Sequence, residues 1–122
     1  MLLNLLNMLL NLLKSKIHRA VVTEANLDYI GSISIDEALM KAANIKEFEA
    51  VHVLNISNGE RLITYAIKAK KKSGEICVNG AAAHLAQKGD LVIIVAYCMI
   101  NDEHVSQHQP TIVHVNPKNQ IV

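Results

Sequence analysis

A mainly β, barrel-type fold is what this 122-residue chain predicts, and two observations predict it. Short runs of alternating or β-branched residues dominate, and only brief helix-forming stretches lie between them. Closing such strands into a barrel removes the edges that an open sheet would expose. Taken in order, Lys16 to Thr23 and Tyr29 to Ile35 read as strands, because alternation and β-branched residues fill both. Asp36 reads as the N-cap of a short helix, with Glu37 in the first turn and the helix formers Ala38 to Ala43 behind it. Val51 to Ile56 and Arg61 to Ile67 flank Ser57-Asn58-Gly59-Glu60, and Asn-Gly between two such runs predicts a hairpin. Glu75 to Val78 is a short strand running into Asn79-Gly80. Ala81-Ala82-Ala83-His84 then starts a helical turn that stops near Gly89-Asp90. Leu91 to Met99 is a long apolar strand, and Thr111 to Val115 supplies the last one.

Bulk composition narrows the function. The length suits one domain spanning residues 1–122, with no long linker or convincing repeat. Half the residues are apolar and the net charge is +1, which excludes a disordered chain. The one basic run, Lys68 to Lys72, is too short for a nucleic-acid footprint and reads as a solvated loop. Cys77 and Cys98 sit far apart in apolar runs, so both are expected as reduced core residues of a cytoplasmic protein. No metal is expected. The start, Met1 to Leu13, is rich in leucine but lacks a basic n-region and a small-residue cleavage site. It is also shorter than the roughly 20 apolar residues a bilayer requires, so no membrane segment is expected. As a helix it would gather Asn4, Asn7 and Asn11 into one polar stripe; as helix or strand it would pack on the protein itself or on a neighbouring subunit.

The most informative stretch is Tyr29-Ile30-Gly31-Ser32, answered downstream by Asn79-Gly80-Ala81-Ala82-Ala83-His84. Gly-Ser alone is a common turn dipeptide. A serine hydroxyl can nevertheless attack the carbonyl before it and turn the amide into an ester. Elimination and hydrolysis then leave a pyruvoyl group where the serine stood. That chemistry needs an open carbonyl and a backbone bent away from relaxed geometry, which a glycine at Gly31 would tolerate. With Lys14-Ser15-Lys16-Ile17-His18-Arg19, Asn58-Gly59-Glu60-Arg61, Thr64-Tyr65 and Gly89-Asp90, these segments resemble the pyruvoyl-dependent aspartate alpha-decarboxylases from about Met8 to the C-terminus.

The resemblance implies a double-psi β-barrel with short helices, a homotetramer, and decarboxylation of L-aspartate to β-alanine for pantothenate and coenzyme A synthesis. It implies cleavage between Gly31 and Ser32 into residues 1–31 and 32–122, spontaneously or with an unidentified maturation partner. Ser32 then matches the precursor of the pyruvoyl cofactor, and Tyr65 the donor that protonates the carbanion after carbon dioxide leaves. Arg61 and Lys16 match cations for the two substrate carboxylates, with neither carboxylate assigned. Thr64 matches a residue tied to processing and substrate contact; Gly80, Ala81 and Ala82 match positions that bring backbone N–H groups close to substrate. Asn79 either orients groups around the pyruvoyl or caps the following turn. His18 belongs to a matched motif as a supporting group. The family usually begins near Met8, which makes residues 1–7 an extension, and Leu54 stands where some relatives carry a large aromatic.

Two other readings of the same barrel compete. A binding module or swapped-hairpin regulator without processing would be expected to carry a basic stripe for DNA, and the net charge of +1 offers none. A pyruvoyl decarboxylase for another amino acid is the second; two cations, Lys16 and Arg61, favour a diacid.

Overall fold

A computed structural model describes residues 8–122. Its strands are β1 (Leu9–Val21), β2 (Glu24–Asn26), β3 (Ser32–Asp36), β4 (Ala50–Asn55), β5 (Arg61–Ala69), β6 (Ile76–Asn79), β7 (Leu91–Asn101) and β8 (Thr111–His114). One helix, α1 (Glu37–Ala43), and two 3₁₀ turns, Gly80–His84 and Asp102–Gln107, complete the regular structure. The eight strands form one sheet in the order β2-β6-β3-β5-β4-β7-β1-β8. Pairing is mixed. β3 runs antiparallel to β6 but parallel to β5, and β1 runs antiparallel to β7 but parallel to β8. The molecule is mainly β and barrel-like, as the sequence predicts.

Alternation builds the core. Ile17, Ile33, Ile35, Val51, Val53, Ile76, Val78, Val92 and Ile94 are all at 0% exposure, each from the inward face of its strand. Leu39 and Met40 of α1 close one side of that core. Asp36 caps α1 as expected, its Oδ1 accepting from the Ala38 N–H at 2.8 Å. The same buried carboxylate accepts from the N–H groups of Lys72 at 2.9 Å and Gly74 at 2.9 Å, so it also fixes the turn before β6. The Asn58-Gly59 hairpin joins β4 to β5 in antiparallel register, with Gly59 at φ +79°.

Other expectations shift. Tyr29 and Ile30 lie outside the strand expected to contain them, because Asn26 Oδ1 accepts from the Asp28 N–H at 3.1 Å and turns the chain first. β2 and the turn over Asp102–Gln107 were not anticipated; three strand residues give too short a pattern to read. β1 begins at Leu9, so the leucine-rich start enters a strand, with Asn11 exposed beside Met99. Asn4 and Asn7, the rest of the expected stripe, lie outside the described residues. Cys77 is buried, but Cys98 is half-exposed. The reason is local: β4 covers β7 only from Val92 to Val95, and beyond it Tyr97 to Asn101 pair with Leu9 to Leu13 alone. Among the described residues no helix is long and apolar enough to cross a membrane.

Candidate active site

β3 and β6 place their side chains on two faces. Ser32 pairs with Asn79 and Ser34 with Cys77, so these four share one face, while Ile33, Ile35, Ile76 and Val78 share the core. The polar four are buried too, at 1% exposure for Ser32 and 2% for Asn79. Buried polar groups require partners, and here they supply one another. Asn79 Nδ2 donates to Ser32 Oγ at 3.0 Å and to Ser34 Oγ at 3.1 Å. Cys77 Sγ donates to Asn79 Oδ1 at 3.1 Å. The Ser32 hydroxyl donates to the Ile30 carbonyl at 3.2 Å, which folds its oxygen back over the Gly31 peptide.

Gly80 presses on that peptide from outside the ladder. Its φ is +67°, and a Cβ there would stand 2.6 Å from Gly31 Cα and 2.7 Å from Gly31 N. Only glycine fits. Gly31 itself has no positive φ, and a Cβ added to it would meet nothing within 4 Å. Gly31 lies in a bend, as expected, while the left-handed φ and the packing constraint belong to Gly80. Asn79 stands at the N-cap of the Gly80–His84 turn but makes no side-chain cap bond: its Oδ1, the atom that would cap, accepts from Cys77 Sγ, and its Nδ2 donates to the serine hydroxyls. Ala81 is exposed and Ala82 packs on the edge of the core.

β5 lies along the other side of β3. The parallel register aligns Ile33 with Ala66, so Tyr65, next to Ala66, faces away from the core as Ser32, next to Ile33, does. Tyr65 therefore belongs to the Ser32 face. Arg61, four residues earlier, shares that face and is exposed. Thr64 lies on the inward face with Leu62 and Ala66. Lys16 is placed apart: β5, β4 and β7 stand between β3 and β1 in the sheet. Among the described residues neither Arg61 nor Lys16 pairs with a carboxylate, whereas Lys14 holds Glu49 at 2.9 Å and Lys68 approaches Glu37 at 3.8 Å. Both cations are left available for an anion.

His18 stacks edge-on against His114 at 5.5 Å, away from Ser32 in the strand order. Its pKa is lowered by partial burial first, then by the positive fields of His114, Arg19 and Lys16. His104 and His108 stand four residues apart, a ligand spacing that the expectation of no metal passed over. His104 lies in the 3₁₀ turn and His108 just beyond it in extended backbone, His108 Nε2 lies 2.6 Å from the Leu13 carbonyl, and the described residues hold no cluster of three metal-binding side chains. Ser34 and Cys77 were the residues sequence reasoning missed. Their signal was present: Ser34 stands two positions from Ser32 on β3, and Cys77 two positions from Asn79 on β6.

The described residues thus hold a buried polar cluster in which Ser32 Oγ is bonded to the Ile30 carbonyl and to Asn79, with Arg61 and Lys16 unpaired on separate strands. The family model described as aspartate decarboxylase matches residues 8–122. An aspartate 1-decarboxylase of Caldicellulosiruptor bescii is 61% identical over 115 residues, covering 94% of this chain and 90% of the relative. One from Campylobacter fetus subsp. fetus is 58% identical over 112 residues, covering 92% and 96%. One from Clostridium botulinum is 53% identical over 114 residues, covering 93% and 90%.

Proposed function

The chain belongs to the aspartate decarboxylase family, and from that premise we propose how it acts on L-aspartate. It removes the α-carboxylate to give β-alanine and carbon dioxide, a supply reaction for pantothenate, after cutting itself into residues 1–31 and 32–122. The observation that supports the cut is the Ser32 hydroxyl, 3.2 Å from the Ile30 oxygen and 3.0 Å from Asn79 Nδ2, beside a Gly31 against which Gly80 packs without a side chain.

Maturation begins when Ser32 Oγ attacks the Gly31 carbonyl carbon; the peptide C–N bond breaks and an ester forms. Loss of the residue-32 Cα proton expels the Gly31 carboxylate and leaves a dehydroalanine. Water then enters and ammonia leaves, giving the pyruvoyl end of the larger fragment. Asn79, by donating to Oγ, holds that atom in place, and Thr64, on the strand beside β3, assists the processing.

The residues present fit the group so formed, since the cradle around residue 32 is polar, buried and closed by Gly80. The pyruvoyl group supplies an electron acceptor conjugated to the substrate α-carbon. Tyr65 holds the proton that the carbanion takes once carbon dioxide has left. Arg61 grips one substrate carboxylate through its planar fork. The Gly80, Ala81 and Ala82 backbone lets N–H groups approach the substrate.

Lys16, kept apart within the sheet, meets the substrate in a homotetramer. The support is apolar surface that an isolated chain leaves wet: Met8 is 64% exposed, Leu9 59% and Met99 58% on the β1–β7 ribbon, and Ile63 is 69% exposed on the face of Arg61 and Tyr65. A cytoplasmic location suits such an enzyme. Intact mass tests the reading: two fragments with masses of residues 1–31 and 32–122, the larger reacting with hydrazine as a ketone, are expected. A chain that stays whole after prolonged warming, with no ketone, refutes it.

A further inference from the structure

We infer that Cys77 is a positioning residue for self-cleavage, its thiol fixing the Asn79 amide so that the nitrogen, and not the oxygen, faces Ser32. The inference rests on the self-cleavage proposed above. A carboxamide has a donor end and an acceptor end of nearly equal size, so its orientation is decided by its neighbours. On one side Asn79 meets the Ser32 and Ser34 hydroxyls at 3.0 and 3.1 Å. A hydroxyl both donates and accepts, so the serines hold the amide only weakly, through the bond the Ser32 proton makes to Ile30, and a donor facing Oδ1 from the other side adds the rest. Cys77 Sγ, 3.1 Å from Oδ1, stands on the other side. A thiol donates better than it accepts, and a protonated thiol here selects Oδ1.

The surroundings keep that proton on. Burial raises the Cys77 pKa first, and the carboxylates of Glu24 and Glu75 raise it further. Glu24 is the register partner of Cys77 across β2 and β6. The consequence reaches the nucleophile. With Nδ2 turned to Ser32, the serine proton is free to go to Ile30, and Oγ lies back over Gly31. With the amide reversed, Oδ1 would claim that proton, and the hydroxyl would swing from the peptide it must attack. Cys77 is 6% exposed and touches no reacting atom, so it acts through Asn79 alone.

The test is the rate of chain cleavage, followed by intact mass on freshly made protein, with thermal midpoints measured alongside. Cys77→Ser keeps a donor and should cleave within about twofold of the natural chain. Cys77→Ala and the better-filled Cys77→Val lack it and should cleave roughly tenfold more slowly, the scale of one lost hydrogen bond. The serine variant separates donor from volume, because it changes size as alanine does yet should retain the rate. If the natural chain cleaves and the alanine or valine variant cleaves equally fast, the inference falls while the proposed function stands. Equal slowing in Cys77→Ser also overturns it, since packing would then be the cause. A natural chain that never cleaves overturns both.

Discussion

Along β3 and β6 the same backbone ladder carries two buried faces. Ile33, Ile35, Ile76 and Val78 are at 0% exposure on one, while Ser32, Ser34, Cys77 and Asn79 are at 1%, 9%, 6% and 2% on the other. Burial does not distinguish them; the manner in which each face is held does. The apolar face is fixed by packing against α1 and the far strands, where any well-shaped hydrocarbon serves. The polar face is fixed by directed bonds, Cys77 to Asn79 and Asn79 to both serines, which determine where one oxygen points. Apolar packing and directed bonding are thus assigned to opposite sides of two short strands, and under the proposed function the second carries the chemistry. Mutations should separate them.

The largest effect belongs to Ser32→Ala, which should leave the chain whole and abolish decarboxylation while shifting the thermal midpoint little. Mass and activity on the same sample check it, and a large loss of stability would break the division of labour. Tyr65→Phe should cleave normally and lose kcat by about 10² to 10⁴, the range for a positioned general acid. Slowed cleavage in that variant would place the phenol in maturation as well. On the opposite face, Ile33→Ala should cost roughly 2–5 kcal/mol in denaturant unfolding of the uncleaved Ser32→Ala chain, by transfer and cavity together.

Smaller effects sharpen the site itself. Gly80→Ala forces a left-handed backbone on an L-residue and drives a Cβ into Gly31, so it should cost about 1–3 kcal/mol and slow cleavage. Gly31→Ala, with open space around the new methyl, should cost less than about 1 kcal/mol. Cleavage rates in the pair check the contrast: if Gly31→Ala proves the more damaging, the tighter constraint lies at Gly31.

What could be read in advance followed the range of the interactions. Asp36 as a helix cap and Asn58-Gly59 as a hairpin are signals carried within a few residues, and the molecule keeps both. Asn79 is the opposite case. Its partners Ser32 and Ser34 stand 47 and 45 positions away, so spacing within one segment could not decide between a cap and a bond to the nucleophile. The close approach at Gly31 has the same origin, since Gly80, which packs on it, stands on another element. Resemblance proposed site residues where periodicity could not, yet it did not reveal that three strands stand between Lys16 and Ser32 in the sheet order.

Under the proposed cut, strand β1 acquires a different status. Residues 1–31 carry β1 and β2, and β1 is gripped along Leu9 to Val21 by β7 and further by β8, all in the other fragment. The mature protein is then a complex of two chains that were synthesised as one. Before the cut, unfolding is unimolecular and the chain finds its own way back. Afterwards, recovery from denaturant becomes a bimolecular search, dependent on dilution and opposed by the entropy of bringing two free chains together. Self-cleavage would thus convert a refoldable polypeptide into an assembly whose survival is governed by how slowly it comes apart.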